Sequence, residues 1–334
     1  MSRFLKNGAI IFALIVALNI QIIPVFACEE GETVYLGGMP AGFVMQMQGV
    51  EVVGLSDVVT DSGMKSPAKD CGIKTGDKIV RLGSKTINSA SDLDFVCKNY
   101  DGKRFDIEIE RGSEDLIFKI TPVKELSSGD YRMGVLVRDS ISGVGTVTFI
   151  KEDGKFGALG HPVYEKDRNL LKISGGNCFD CGIIGVNRGE RGVPGELKGA
   201  FLSSQSIAEI KANTPCGIFG LWKNDLSSQT KIEIGKTSAV KMGKASIFST
   251  IDGRNAEEYH VSIVKVDKDN KDNKNFVVKI TDKTLLETTG GIVQWMSGSP
   301  IVQNGKLVGA ITHVFVNDPS RGYGISIEKM LNAA

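Results

Sequence analysis

Ser297 opens a Ser-Gly-Ser-Pro turn within "GIVQWMSGSPIVQNGKLVGAITHV", residues 291–314. A serine hydroxyl attacks a carbonyl only when a base takes its proton, a third group orients that base, and backbone N–H groups face the developing oxyanion. The turn offers the last of these, because glycine permits a sharp bend that gathers the amides around Ser297. The base must be a histidine, and the chain has three, at 161, 260 and 313. His161 ends "GKFGALGH" just before Pro162, a strand end able to face a cleft. His260 lies inside an alternating strand pattern and reads as structural. His313 lies on the run returning from the turn and reads as pocket wall rather than base. Residue type alone does not select an orienting acid from 39 carboxylates. Asp282, at the end of "NFVVKITD" and fifteen residues before Ser297, is attractive; Asp318 in "VNDP" and Asp167 are rivals whose simple reading is turn chemistry. Ser299 reads as a turn serine.

Other reactive types carry less. Cys178 and Cys181 in "NCFDC" have the C-x-x-C spacing of redox or zinc sites. No second pair follows, so both are expected to be buried or turn cysteines, and no metal or cofactor is expected. "DKDNKDNKN", residues 267–275, departs from the calcium-loop spacing and reads as a hairpin tip. A formal charge of +1 supplies no field to draw nucleic acid.

The elements that must position these residues are mostly strands. At 334 residues, 41% apolar and 24% charged, the chain has room for two modest domains with real cores. Forty glycines against nine prolines, scattered among Val/Ile/Thr runs, mark turns between many short strands. Arg3 and Lys6 precede Gly8 to Ala27, a stretch without charge that fits a membrane anchor or a signal peptide ending at Val25-Phe26-Ala27. Residues 1–27 are therefore expected to export the chain, leaving the folded part outside the membrane and able to associate with it. Residues 38–123 read as one module. "AGFVMQMQGVEVVGL" suggests two strands, Ser66-Pro67 starts a helix, and "SASDLDFVCKNYDG" is a second helix burying Leu93 and Phe95-Val96. "FDIEIERGSEDLIFKITPV" is a hairpin turning at Gly112. Beyond a polar linker, residues 131–334 are strand-rich, with only "SSQSIAEIKA" and the terminal "SIEKMLNAA" reading as helical.

The helix entered at Ser-Pro-Ala and left at Gly-Ile, followed by "GIKTGDKI", closely resembles a bacterial PDZ domain. That resemblance implies peptide binding by strand addition, with the loop Ala41-Gly42-Phe43-Val44 holding a terminal carboxylate. The plainer alternative is a PDZ fold used as a rigid spacer. The Ser297 turn and the hairpin at Asn304-Gly305 resemble the nucleophile segment of chymotrypsin-like serine peptidases. There the returning strand, here Ala310, Ile311, Thr312, His313 and Val314, lines the substrate cleft. The expected fold is thus mainly β, an α+β PDZ domain followed by a chymotrypsin-like β-barrel. Over nearly its whole length the chain resembles the stage IV sporulation protein B (SpoIVB) peptidases of endospore formers. The motifs are "YRMGVLVRDSISGVGTVTFI", "KFGALGH", "TPCGIFG" and "TGGIVQWMSGSPIVQNGKLVGAITHVFVNDPSRGYGISIEKML". The resemblance implies a catalytic triad of His161, Asp282 and Ser297. It also implies self-processing, and cleavage of a regulatory subunit of a membrane metalloprotease complex in the space between forespore and mother cell. That cleavage signals activation of the late mother-cell sigma factor.

One residue departs from the pattern. Where the family has glycine two positions before the serine, this chain has Trp295. By analogy with chymotrypsin-like enzymes, the amides of Trp295 and Ser297 form the oxyanion hole. Should the backbone at Trp295 require φ > 0, a side chain there costs roughly 1–2 kcal/mol, and losing one donor costs on the order of 10²–10³ in rate. The rival reading is therefore a catalytically impaired adaptor that docks a partner without cleaving it.

Overall fold

The run from Pro40 to Leu55 alternates apolar side chains, and it forms a single sixteen-residue strand rather than two. It bends at Gly49, whose φ is 81°. The computed structural model describes residues 31–165 and 169–334; the expected export segment, Cys28 and the rival acid Asp167 lie outside the described residues. Before the bend the strand is paired on both flanks. Phe43 faces Gly143 of the Val135–Ile150 strand on one side and Cys178 of the Ile173–Asn187 strand on the other. This overturns the expectation that Ala41, Gly42, Phe43 and Val44 form a carboxylate-binding loop. Their backbone belongs to two ladders, which leaves no row of free N–H groups. The alternation also buries Ala41 and Phe43 in a core with Phe156 and Ile218.

Two closed rings of six strands account for most of the remaining chain. The first runs from Pro40–Leu55 through Val135–Ile150, Lys155–Ala158, Gly217–Trp222, Glu196–Thr214 and Ile173–Asn187 back to Pro40–Leu55. The second links Gly243–Ser249, Glu257–Val266, Phe276–Ile280, Asp318–Ser326, Lys306–Phe315 and Pro300–Gln303, which returns to Gly243–Ser249. Closure removes exposed strand edges. Each ring has its own core, one around Phe43, Met45 and Phe156, the other around Ile247, Phe276 and Ile311. Thr33–Leu36 and Lys231–Ile234 join the rings, the former pairing with Val135–Ile150 and the latter with Lys306–Phe315. "SSQSIAEIKA" is not helical but part of the Glu196–Thr214 strand, where pairing on both sides outweighs local helix propensity. Cys178 and Cys181 are buried in the first ring's wall, as free thiols that burial pushes upward, Cys181 to about 11.

Past Gly49 the same strand enters a smaller module with Lys78–Leu82, Phe105–Arg111 and Glu114–Ile120. Helices Pro67–Cys71 and Ala90–Lys98 complete it, the second capped by Ser89 accepting from the Asp92 amide. Leu93 is buried as expected, but Phe95 points to solvent, 57% exposed, with Lys85 over its ring. In the "TGDK" turn Asp77, 1% exposed, accepts the Lys74 amide and is clasped by both Arg111 Nε and Nη2, at 2.7 and 2.8 Å. Along the open flank of this half of the strand lies the chain's own continuation. Val135 to Arg138 pair antiparallel with Leu55 to Glu51, Met133 is buried with Leu93 and Cys97, and the Ala90 amide donates to Asp139 at 3.0 Å. Residues from Thr33 to Ala334 form one compact unit.

Candidate active site

The turn holding Ser297 leads into the second ring, and the turn holding His161 leaves the first. α-Helix Lys283–Thr289 ends at Gly290, φ 77°, and delivers the chain to residues 291–299. There Gly298 donates to Ile311 O at 2.7 Å, and Ile311 donates back to Ser299 O at 2.9 Å, which fastens the turn to the Lys306–Phe315 strand. From the first ring, Thr146 N donates to Ser297 O at 3.2 Å, Thr146 Oγ1 to Trp295 O at 3.0 Å, and Thr148 Oγ1 to Gly298 O at 2.8 Å. Leu159 donates to Thr146 O at 3.2 Å, which brings the His161 turn to the same residue. Gly298, φ 96°, admits no side chain, since an added Cβ would sit 2.1 Å from Thr146 O.

Trp295 adopts φ 79°, the left-handed conformation whose cost the sequence raised. Its place is secured by the Thr146 bond to its carbonyl and by its indole Nε1 donating to Glu196 at 3.0 Å. The ring lies across Gly143 of the Val135–Ile150 strand. The amides of Trp295 and Ser297 donate to no acceptor among the described residues, while those of Met296, Gly298 and Ser299 are all engaged. Ser297 is half-buried and its Oγ bonds no described side chain; Ser299 is buried and donates to Ser249 at 3.0 Å, a structural serine.

His161 Nδ1 lies 2.9 Å from Pro162 O. A carbonyl only accepts, so Nδ1 carries the proton and Nε2 is the basic nitrogen of the neutral ring. Burial holds this imidazole below its ordinary value, the Pro162 carbonyl acting in the opposite direction. Its ring packs against His313, with centroids 4.9 Å apart and planes tilted by 40°. His313, though its side chain reaches solvent, is pushed down to about 4, first by the surrounding protein and then by His161 and Lys274.

Asp282 is engaged elsewhere. Its Oδ1 accepts the Leu285 amide at 3.0 Å as the cap of the Lys283–Thr289 helix, and its Oδ2 accepts the His260 amide at 3.3 Å. No hydrogen bond or ion pair joins it to His161. A strand end running straight into a helix needs an Asx cap, which Oδ1 supplies, while Oδ2 bonds the neighbouring strand. The rival Asp318 accepts from Ser320 and pairs with Arg321, which is turn chemistry. His260 is exposed and lines a cleft with Leu36, Lys244 and Val302. Of the expected cleft strand, Ala310 and Ile311 point into cores and Thr312 is nearly buried, bonding Tyr323 O at 3.2 Å. Only His313 and Val314 remain accessible as side chains. Thr146, Thr148 and Glu196 were missed by the sequence reading. The signal was Thr-x-Thr in the otherwise apolar end of "GVGTVTFI", where two buried hydroxyls require partners.

Two partial likenesses cover short stretches. The chain is 37% identical over 57 residues to serine protease HTRA1 of Xenopus tropicalis, 17% of this chain and 12% of that protein. It is 31% identical over 77 residues to a protein of Treponema pallidum (strain Nichols) named "Putative zinc metalloprotease", 23% of this chain and 17% of that one. The chain thus spans less than a fifth of either relative. The model of the SpoIVB peptidase S55 family matches residues 129–331, more than half of the chain and the whole stretch that carries Ser297, His161 and their supports. The protein belongs to the SpoIVB peptidase family.

Proposed function

We propose that Ser297 is the nucleophile, that His161 Nε2 takes its proton and returns it to the leaving amine, and that the amides of Trp295 and Ser297 receive the oxyanion. One observation carries this reading. A nucleophile turn with unbonded amides at 295 and 297 and a histidine turn of fixed tautomer, from separate rings, meet on Thr146 and on the Lys306–Phe315 strand. Placing a site between two closed barrels is the chymotrypsin-like arrangement, which we assign to this chain on the ring pairings. Asp282 stays the third member of the triad by resemblance; its Oδ1 caps the helix that feeds the Ser297 turn and its Oδ2 accepts the His260 amide, which leaves each oxygen a further lone pair for an imidazole.

The substrate of a peptidase is a protein, and the family places this one in sporulation. The finer role follows from the resemblance: self-processing, then cleavage of a regulatory subunit of a membrane metalloprotease complex, which releases activation of the late mother-cell sigma factor. Export by residues 1–27 into the space between forespore and mother cell completes this reading. The small module is assigned as PDZ-type, with its boundary drawn at Gly49 because residues 40–48 belong to the first ring. Where such a module seats a peptide strand, Val135–Arg138 of the same chain already lies, which favours the spacer role over peptide capture. The strained Trp295 favours one second reading, a docking paralogue with an impaired oxyanion hole.

The test is intact-mass analysis of the exported chain over time, as wild type and as Ser297→Ala. Self-trimming in the wild type alone is expected. Equal trimming in both would remove Ser297 from the mechanism, and labelling of neither by a fluorophosphonate would favour the docking reading.

A further inference from the structure

Resting on the reading of Ser297 and its oxyanion amides just given, we propose that Glu196 is a positioning residue of the oxyanion hole. By holding the Trp295 indole it keeps the Trp295 backbone in the conformation that aims its N–H at the substrate carbonyl. A left-handed backbone on a bulky residue persists only where its surroundings over-determine it. Trp295, φ 79°, is such a residue, two positions before the nucleophile.

The supports reach it from the first ring. Strands Ile173–Asn187 and Glu196–Thr214 are joined by a tip whose bonds fall one after another along the approach to Ser297. Arg188 Nη1 donates to Glu287 O at 2.6 Å, and the Gly189 amide to Thr289 O at 2.8 Å. The Gln294 amide donates to Gly195 O at 2.8 Å, and Gln294 O accepts from the Leu197 amide at 3.2 Å. Gly195 permits this close approach, since an added Cβ would lie 2.3 Å from Gly189 N and 2.5 Å from Asn187 O. Glu196 sits between the two residues that bond Gln294, which delivers its carboxylate to the next side chain. There Trp295 Nε1 donates to Glu196 Oε1 at 3.0 Å.

The geometry of the peptide gives these bonds their meaning. A trans peptide is planar, with its C=O and N–H pointing opposite ways. By holding the Gln294 carbonyl, Leu197 therefore sets the direction of the Trp295 N–H, which is left unbonded. By holding the indole, Glu196 sets the φ of the same residue. The contact has one polarity, because an indole N–H only donates and a carboxylate only accepts. Glu196 makes no ion pair among the described residues, so the indole is what its carboxylate serves. A glycine at 295 would have no side chain to hold and would adopt positive φ without strain. The Glu196 bond is thus the device that lets a tryptophan stand beside the nucleophile with its amide still aimed.

The experiment follows fluorophosphonate labelling of Ser297 in the full chain at rising probe concentration. It yields a maximal rate and a half-saturating concentration for each variant, with thermal unfolding as the check on folding. Glu196→Ala is expected to lower the maximal rate on the order of 10-fold, a part of the 10²–10³ lost with an oxyanion donor outright. The half-saturating concentration should stay unchanged, because the amide acts in the transition state. Glu196→Gln, which keeps an oxygen acceptor, is expected to retain most of the rate. Trp295→Phe keeps a ring, removes the N–H and is expected to match Glu196→Ala, which tests the same bond from its other end. In a Trp295→Gly background, Glu196→Ala is expected to change nothing further. The same loss in that background, an unchanged rate in Glu196→Ala, or a glutamine variant as slow as alanine would each overturn the proposal. Labelling that persists in Ser297→Ala would instead defeat the underlying reading of the nucleophile.

Discussion

Trp295 concentrates opposing terms in one residue. Its left-handed backbone costs roughly 1–2 kcal/mol. Against this stand the packing of the half-buried indole over Gly143, at most about 1.5–3 kcal/mol, and the bond to Glu196, about 0.5–1.5 kcal/mol. Packing and bonding win, which explains how a bulky residue occupies a glycine position without the turn leaving φ 79°. Trp295→Gly is therefore expected to lower stability by about 1–2 kcal/mol in urea unfolding while changing the fluorophosphonate rate only a few-fold. A rise on the order of 10²–10³ would show instead that the indole had disabled an oxyanion donor.

The elements matter through what they hold together. The Val135–Ile150 strand begins against the small module, passes Gly143 under Trp295, and ends with Thr146 and Thr148 gripping three carbonyls of the nucleophile turn. These hydroxyls are 3% and 0% exposed, so each lost bond leaves a buried carbonyl without its donor. Thr146→Val keeps the shape and removes the Trp295 clamp. It should cost about 1–3 kcal/mol and slow labelling more than the stability change alone accounts for, because the Trp295 peptide is freed to rotate. Wild-type labelling in a measurably destabilised Thr146→Val would show that the amide is aimed by other contacts.

At the scale of the molecule, the segment before the small module is built into the two-ring body. Thr33–Leu36 and the first half of Pro40–Leu55 precede the module, yet the first closes the join between the rings and the second completes the first ring. The boundary expected at residue 131 thus cuts through the catalytic body. A chain beginning at 131 lacks one strand of six and leaves two long ladders open, so it should give no cooperative urea transition and no labelling. Cooperative unfolding of that fragment, with labelling, would show that the first ring closes without its early strand.

Much of this was written locally. The Asn304-Gly305 hairpin, the Ser89-capped helix and the terminal helix are set by neighbours a few residues apart, so residue types and spacing suffice to read them. Strand content and the family were equally legible, since alternation and a long motif survive without knowing which strand meets which. The failures share one cause. The loop expected at Ala41–Val44, the helix expected at residues 203–212 and the inward Phe95 all depend on partners far away in the chain. A strand's partner on its second flank, the atom that claims a carboxylate first, and the ring that faces a histidine are decided by long-range pairing, which leaves no local periodicity. The sequence by itself determined the family of this chain and its β structure. Only the tertiary structure decided that His161 meets His313, that Asp282 Oδ2 meets the His260 amide, and that residues 40–48 belong to the first ring. The first and the last depend on segments far apart in the chain, brought together by strand pairing.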